Sequence, residues 1–398
     1  MNEKNSEKIL LLAYYFPNWH VDRLNETVHG EGWTEWEVLK CARSRFPGHY
    51  QPRIPVWGYE DEAKPEVMAR KVRTATEYGV SGFIFDYYWN TDGPFRSRAL
   101  DEGFLGCAEA ENFPFALMWC NHSRLNLHPA PFTMHVEGYS TPLVSPEMFD
   151  RMTDVWVDRY FTRKNYLRIG EKVYFSVYRP YDLIRCFGSV DRTAEALAKF
   201  RDKAKERAGS DIFLHVNYCG LKELQARLLG ERTPPENDPL KGYFHTWEEC
   251  ARQLHFDAVG AYAWPEHTTH FQDFPLINGE VVRRDALRFW EDDPTICGLP
   301  NHPLVFTGWD PSPRTVQSDM YTQHAYPWTG IMEQTPEEFG DMLRKAVKLV
   351  SAREGAEKRI IAIGSWNEWT EGSYLEPDEK YGYGFLEQIR QTVSAMAD

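Results

Sequence analysis

Eight short apolar or aromatic runs alternate with charged segments of helical period, and that rhythm predicts an α/β fold, a (β/α)8 TIM barrel with long βα loops. Two further observations agree. The long polar insertions follow the C-terminal ends of the runs, the face that barrels elaborate. No G-x-G-x-x-G or P-loop follows the first run, which weakens the rival fold, an open doubly wound sheet with extra elements. No repeat, low-complexity tract or domain linker is evident, so residues 1–398 read as one domain.

The runs, in order, are KILLLAYYFP from Lys8, VSGFIFDYYW from Val80, FPFALMWCNH from Phe113 and VYFSVYRP from Val173. They continue with DIFLHVNYCG from Asp211, FDAVGAYAWP from Phe256, PLVFTGWDP from Pro303 and RIIAIGSWNEW from Arg359. Their β-branched and aromatic content suits strands buried on both faces. Helical segments begin near Glu66, Met148, Arg192 and Glu337, and two of them stop at a glycine after a basic or polar last turn. The insertions run roughly from Pro17 to Glu62, Ser123 to Pro146, Pro265 to Arg284 and Pro311 to Thr335. The Pro-rich ERTPPENDPLKG from Glu231 reads as a loop within the barrel.

A net charge of −14 argues against a general nucleic-acid binder and disfavours anionic lipid. No apolar stretch is long enough to span a bilayer, so no membrane insertion is expected. The seven cysteines, Cys41, Cys107, Cys120, Cys186, Cys219, Cys250 and Cys297, form no C-x-x-C and read as free, mostly buried thiols of a reducing compartment. With no signal-peptide pattern at the N-terminus, a cytoplasmic location is expected, or a periplasmic one if a leader has been removed. Aromatic residues make up 15% of the chain; part of that is core, and so many amphipathic rings also suit stacking on flat apolar faces such as sugars present.

The strand ends concentrate such groups. They carry Tyr15, Asp86 with Tyr88 and Trp89, Asn121 with His122, Tyr178 with Arg179, and Asn217 with Tyr218. Tyr262 with Trp264, Trp309 with Asp310, and Asn367 with Glu368 complete the ring. Hydrogen-bonding amides and carboxylates set among aromatic faces are what a polyol substrate requires. After the last run, GSWNEWTEGSYLEP from Gly364 places Glu368 and Glu371 in one loop, beside Trp366, Trp369 and Tyr374. Two carboxylates in different environments form the usual acid/base pair for splitting a glycosidic bond.

These segments also resemble a known family. SWNEWTEGSYLEPDEKYGYGFLE from Ser365 is similar to the C-terminal motif of the WbsX-like proteins, relatives of the family 99 glycoside hydrolases, the endo-α-mannosidases. GEGWTEWEVLKCARSRFPGHYQPRIP from Gly30, EYGVSGFIFDYYW from Glu77 and GWDPSPR from Gly308 resemble the family's other motifs, in order along the chain. The resemblance implies a (β/α)8 barrel, with Glu368 acting on the sugar 2-hydroxyl and Glu371 as general acid and then base. It implies retention by way of a 1,2-anhydro sugar, with the substrate's own O2 as nucleophile. O2 must then attack C1 from behind the leaving group, a trans-diaxial arrangement met by α-mannosides and α-L-rhamnosides but not by α-glucosides. One departure stands out: WCNHSRLN from Trp119 puts His122 where many relatives carry an acid.

The expected site is therefore Glu368 and Glu371 as catalytic pair, with Tyr15, Trp33, Glu35, Trp36, Asp86, Tyr88, Trp89, Asn121, Tyr262, Trp264, Trp309, Asp310, Asn367 and Trp369 around the sugar. Asp310 and Arg314 either pair with each other or hold a sugar hydroxyl, with Asp310 the favoured contact. HTTH from His267 lacks a third ligand in recognisable spacing, so no metal or cofactor is expected. The expected partner is an oligo- or polysaccharide. The rival functions are a glycosyltransferase of polysaccharide assembly, for which no phosphate-cradling loop is visible, and a non-catalytic sugar-binding barrel.

Overall fold

The structure, a computed structural model, describes residues 8–122, 127, 144–217, 247–264, 273–292, 295–296, 298–324 and 326–397. Nine parallel strands form its centre: β1 Leu10–Tyr15, β2 Gly82–Asn90, β3 Phe115–Trp119, β4 Lys172–Val177, β5 Ile212–Asn217, β6 Ala258–Gly260, β7 Leu299–His302, β8 Leu304–Phe306 and β9 Ile360–Gly364. They pair in the order β8-β9-β1-β2-β3-β4-β5-β6-β7, a nearly closed barrel. The register runs Leu12 to Ala362 on one side of β1 and Leu12 to Gly82 on the other.

The sequence predicts eight strands, the seventh starting at Pro303. The structure extends that run backward to Leu299 and splits it at the proline. Proline has no N–H to donate to a ladder, so the pairing changes partner there. The segment before it pairs with β6, and the segment after it pairs with β9. The Pro303 carbonyl still accepts from the Ala362 N–H at 2.9 Å.

Helices cover the outside, each begun by local chemistry. Pro65–Tyr78 opens on proline and ends at Gly79, whose φ of 92° suits glycine alone. Val190–Ala208 is capped by Ser189, and Pro336–Ser351 by a Thr335–Glu338 capping box. The helix from Pro146 continues past Val155 as a wider turn, Trp156–Phe161. A helix at Gly279–Asp292 takes the end of the insertion expected to run to Arg284, because its apolar positions Val282, Ala286 and Trp290 are buried at helical spacing.

Strand parity decides what reaches the barrel axis, since alternate side chains face opposite ways. On β2, Phe85 packs on Phe104 and Tyr87 on Trp156, toward the helices. Asp86 and Tyr88 therefore face inward, and both line the central cavity. On β1, Tyr15 faces the helices, its hydroxyl 3.1 Å from Met68 Sδ. Tyr14 is the inward residue, its ring 4.9 Å from that of Tyr262.

Candidate active site

The loop after β9 is a small hairpin. Asn367–Glu368 pairs antiparallel with Ser373–Tyr374, and a short turn, Trp369–Glu371, joins them. Gly372 closes the turn at φ 65°, and a Cβ there would lie 2.7 Å from the Asp310 Cβ. Across the hairpin, Trp369 stacks on Tyr374 at 3.8 Å, and its indole N–H donates to Glu376 Oε2 at 2.8 Å. The apolar residues are thus the bed on which the two glutamates are held.

Asn367 bolts that bed to the barrel. Its amide accepts from the Phe16 N–H at 2.8 Å and donates to the Phe16 carbonyl at 3.0 Å. It also donates to Glu62 Oε1 at 2.9 Å. Glu62 and Glu376 are bridged by Lys71, whose side chain is 2% exposed. One buried ammonium therefore anchors the hairpin at two points, through Asn367 and through Trp369.

Arg314 organises the carboxylates. Its Nη2 donates to Glu35 Oε1 at 2.8 Å and lies 3.5 Å from Glu368 Oε1. Its Nη1 donates to Glu371 Oε1, and Nε donates to Thr370 Oγ1 at 3.1 Å. The planar fork presents five N–H donors in a fixed geometry and so can serve these acceptors at once. Tyr326 also donates to Glu371 Oε1. Glu35 arrives from the first long loop, fully buried, and takes further bonds from Thr370 at 2.6 Å and Asn18 at 2.5 Å. Burial alone would raise its pKa, but Arg314 overrides that and holds the carboxyl below its ordinary range.

Glu368 is placed differently. Burial, and then the neighbouring Glu371 carboxylate, push it well above the ordinary carboxylate range. Its Oε2 accepts from the Tyr262 hydroxyl, which also lies 2.9 Å from Asp86 Oδ2. Burial likewise raises Asp86 well above its usual range. These groups open on a cavity of about 590 Å³, walled in part by Trp309, Tyr178, Asn121 and His122. Hydrogen-bonding acids against aromatic faces, with one carboxylate charge-paired and another favouring its proton, can hold a polyol and move protons at it.

With that geometry in view, comparison with known proteins assigns the chain. The family described as Glycosyltransferase WbsX matches it over residues 11–389. The chain belongs to the WbsX family. A Xanthomonas campestris pv. campestris protein named "Uncharacterized protein WxcX" is 27% identical over 98% of the chain but only 50% of its own length. This WbsX chain thus spans about half the length of the curated relatives it matches. Among solved structures, the GH99 endo-alpha-mannosidase of Bacteroides thetaiotaomicron is 15% identical, covers 97% of both chains and superposes with a TM-score of 0.54. A protein described as "Glycoside hydrolase-like protein" gives 0.56 at 15% identity, covering 97% of this chain and 94% of its own. The shared fold is a TIM barrel.

In this WbsX chain, the structure brings Glu368, Glu371, Glu35, Asp86, Tyr88, Asn121, Tyr262 and Trp309 together around the cavity. Eight expected contacts are placed elsewhere. Tyr15 and Trp89 have the parity that faces the helices. Trp36 stacks on Trp19 at 4.0 Å, Trp33 lies on His29 at 3.9 Å, and Trp264 donates to the Leu304 carbonyl at 2.7 Å. Asn367 and Trp369 brace the hairpin as described. Asp310 is fully buried behind it, bonded to Gln51 at 2.7 Å and His49 at 3.0 Å, and ion-paired with Arg53 at 3.4 Å. Burial opposes its charge, but His49 and Arg53 hold its pKa well below the ordinary range. Its N–H donates to the Glu371 carbonyl at 2.6 Å, so it fixes the loop from behind.

Arg314 and Tyr326 are the site residues that sequence reasoning underrated. Arg314 lies within the quoted GWDPSPR motif, whereas nothing in the sequence singles out Tyr326. His122 lines the cavity, its ring 5.0 Å from that of Tyr178. HTTH, Tyr218, Cys219, Cys297 and the ERTPPENDPLKG loop lie outside the described residues. Cys107, Cys120 and Cys250 are buried free thiols, Cys186 is half-buried, and Cys41 is exposed. Among the described residues, no cluster of metal-ligating side chains forms, and no helix is long and apolar enough to cross a membrane.

Proposed function

We propose that this WbsX protein is a carbohydrate-active enzyme that cleaves an α-manno- or α-L-rhamno-configured bond within a larger glycan, with retention. The observation that carries the reading is the placement of Glu368 and Glu371 on one braced hairpin, facing one cavity and reached by one guanidinium, in different electrostatic surroundings. The motif resemblance and the barrel shared with a GH99 endo-alpha-mannosidase support it.

In this mechanism Glu368 takes the O2 proton as O2 closes on C1. Glu371, which must enter this step protonated, gives that proton to the departing glycosidic oxygen as the C1–O bond breaks. The 1,2-anhydro sugar is then opened by water, whose proton returns to Glu371, while Glu368 restores the O2 proton. Net configuration at C1 is kept because two inversions occur. The family's description as a glycosyltransferase favours a second reading, in which a sugar hydroxyl takes the place of water or an activated donor supplies the sugar.

A panel of α-mannosides, α-L-rhamnosides and α-glucosides, assayed for released sugar, tests the proposal. Turnover of the first two classes with retention is expected. Turnover of α-glucosides would remove the O2 route, since their O2 is not antiperiplanar to the leaving group. A thermal shift with nucleotide sugars, without turnover of any glycan, would favour the transferase.

A further inference from the structure

We infer that Asp86, Tyr262 and Glu368 form a relay that holds one proton between two carboxyl groups and passes it from Glu368 to Asp86, so that Asp86 positions the proton Glu368 must shed to act as a base. The argument is a count of hydrogens. The Tyr262 hydroxyl lies 2.9 Å from Asp86 Oδ2 and bonds Glu368 Oε2 as well. A phenol has one proton and can donate to one of them. The other oxygen would then face the phenol lone pairs across a hydrogen-bond distance. That contact is favourable only if the second carboxyl is itself protonated and donates to the phenol oxygen.

Burial enforces the same count. Asp86 is 3% exposed, Glu368 4% and Tyr262 9%, so two adjacent carboxylates would be desolvated together. Among the described residues Arg314 is the cation paired with Glu368, at 3.5 Å, but its shorter bonds go to Glu35 and Glu371. Arg96 acts electrostatically on Asp86, and Tyr88 and Cys120 face the same carboxyls. Glu371 adds negative charge to both, which raises the cost of ionising the pair completely. Asp86 Oδ1 has no hydrogen-bond partner among the described residues, so beyond the field of Arg96 no second donor stabilises a full carboxylate there.

The two resting forms differ by a concerted shift. The Glu368 O–H bond breaks as a proton reaches the Tyr262 oxygen. The original Tyr262 O–H breaks as its proton reaches Asp86. The set keeps one negative charge, now on Glu368, which is thereby ready to accept the O2 proton. This use of the relay rests on the proposed role of Glu368, whereas the shared proton itself does not.

Infrared difference spectroscopy of the protein without substrate at pH 7 tests the shared proton, and its outcome is independent of which reaction the enzyme performs. Wild type minus Asp86→Asn and wild type minus Glu368→Gln should each show loss of the same single carboxylic-acid C=O stretch. One proton held by two groups predicts that either substitution abolishes it. Loss in only one of the two variants would reveal a lone buried acid, and loss in neither would mean that both groups are ionised; each result overturns the relay. Tyr262→Phe gives a check that survives a misfolded carboxylate variant. The ionisation midpoint of the stretch should move when the hydroxyl is removed, and an unmoved midpoint would refute the coupling.

Discussion

Arg314→Met is the most informative single perturbation of the site. Methionine keeps much of the volume of the stem but removes a buried guanidinium that reaches Glu35, Glu368 and Glu371. Glu35 is fully buried and would be left with only Thr370 and Asn18 as donors. Breaking a buried pair by removing one partner costs about 3–5 kcal/mol, most of it from the stranded charge. At roughly 2.1 cal/mol/K per residue, a chain of 398 residues has an unfolding entropy near 0.8 kcal/mol/K. The expected loss is therefore a Tm lower by about 4–6 °C. Adding Glu35→Gln should recover part of it, with a coupling of about 1–3 kcal/mol in the double-mutant cycle.

The pH dependence fixes the cause. Glu35 is held below its unfolded value in the wild type, so its contribution is present above about pH 4.3 and is lost as pH falls through the depressed value. Without Arg314, burial instead raises Glu35, and the variant should close the gap to wild type as pH falls from 7 toward 3. Urea unfolding at stepped pH measures this. A deficit under about 1 kcal/mol, or one equal at pH 7 and pH 3, would mean that the guanidinium does not compensate these carboxylates in the folded protein.

Four other outcomes follow from the same geometry. Glu371→Gln should abolish turnover of natural glycans and retain it only on substrates whose leaving group needs no protonation, as steady-state rates on aryl glycosides of graded acidity will show. Asn367→Ala should cost roughly 2–4 kcal/mol, because it strands both backbone groups of Phe16 in a buried setting, and chemical denaturation reads this directly. Gly372→Ala should lower stability and activity together, since it adds a Cβ at φ 65° against Asp310; an active, unperturbed variant would refute the tight turn. Burial raises Glu62 to about 7 against the pull of Lys71, with Glu376 adding to the rise. The folded state then binds a proton more tightly than the unfolded chain, so stability should increase as pH falls from about 7 to about 4.3. Glu376→Gln, which removes the neighbouring charge, should flatten that slope in urea titrations.

Much of the site was legible because its chemistry sits in short contiguous stretches. The two glutamates, their turn glycine and their aromatic bed are all within GSWNEWTEGSYLEP, and Asp86 and Tyr88 end an unmistakable strand. Two of the expected contacts that the structure places outside the cavity share a cause. Tyr15 and Trp89 are strand-end aromatics like Tyr14 and Tyr88, and a one-residue difference in parity sends them to the opposite face. A run in which both faces are apolar gives no alternation from which to read that parity. For Asp310 and Arg314 the sequence leaves two readings open, a mutual pair or a sugar contact, with Asp310 the favoured contact. The folded chain instead offers Asp310 the first loop's His49, Gln51 and Arg53, and gives Arg314 to Glu35 from that same loop.

The sequence by itself determined the barrel, the family and the stretch that forms the glutamate hairpin, because strand rhythm, capping residues and dense motifs are local properties of the chain. Only the tertiary structure decided which carboxylate is neutralised and which shares a proton. Those outcomes depend on long-range neighbours, Arg314 for Glu35 and Tyr262 with Asp86 for Glu368, brought together from strands and loops far apart in sequence. Burial then makes those pairings count, since a charge removed from water is governed by the few groups that touch it.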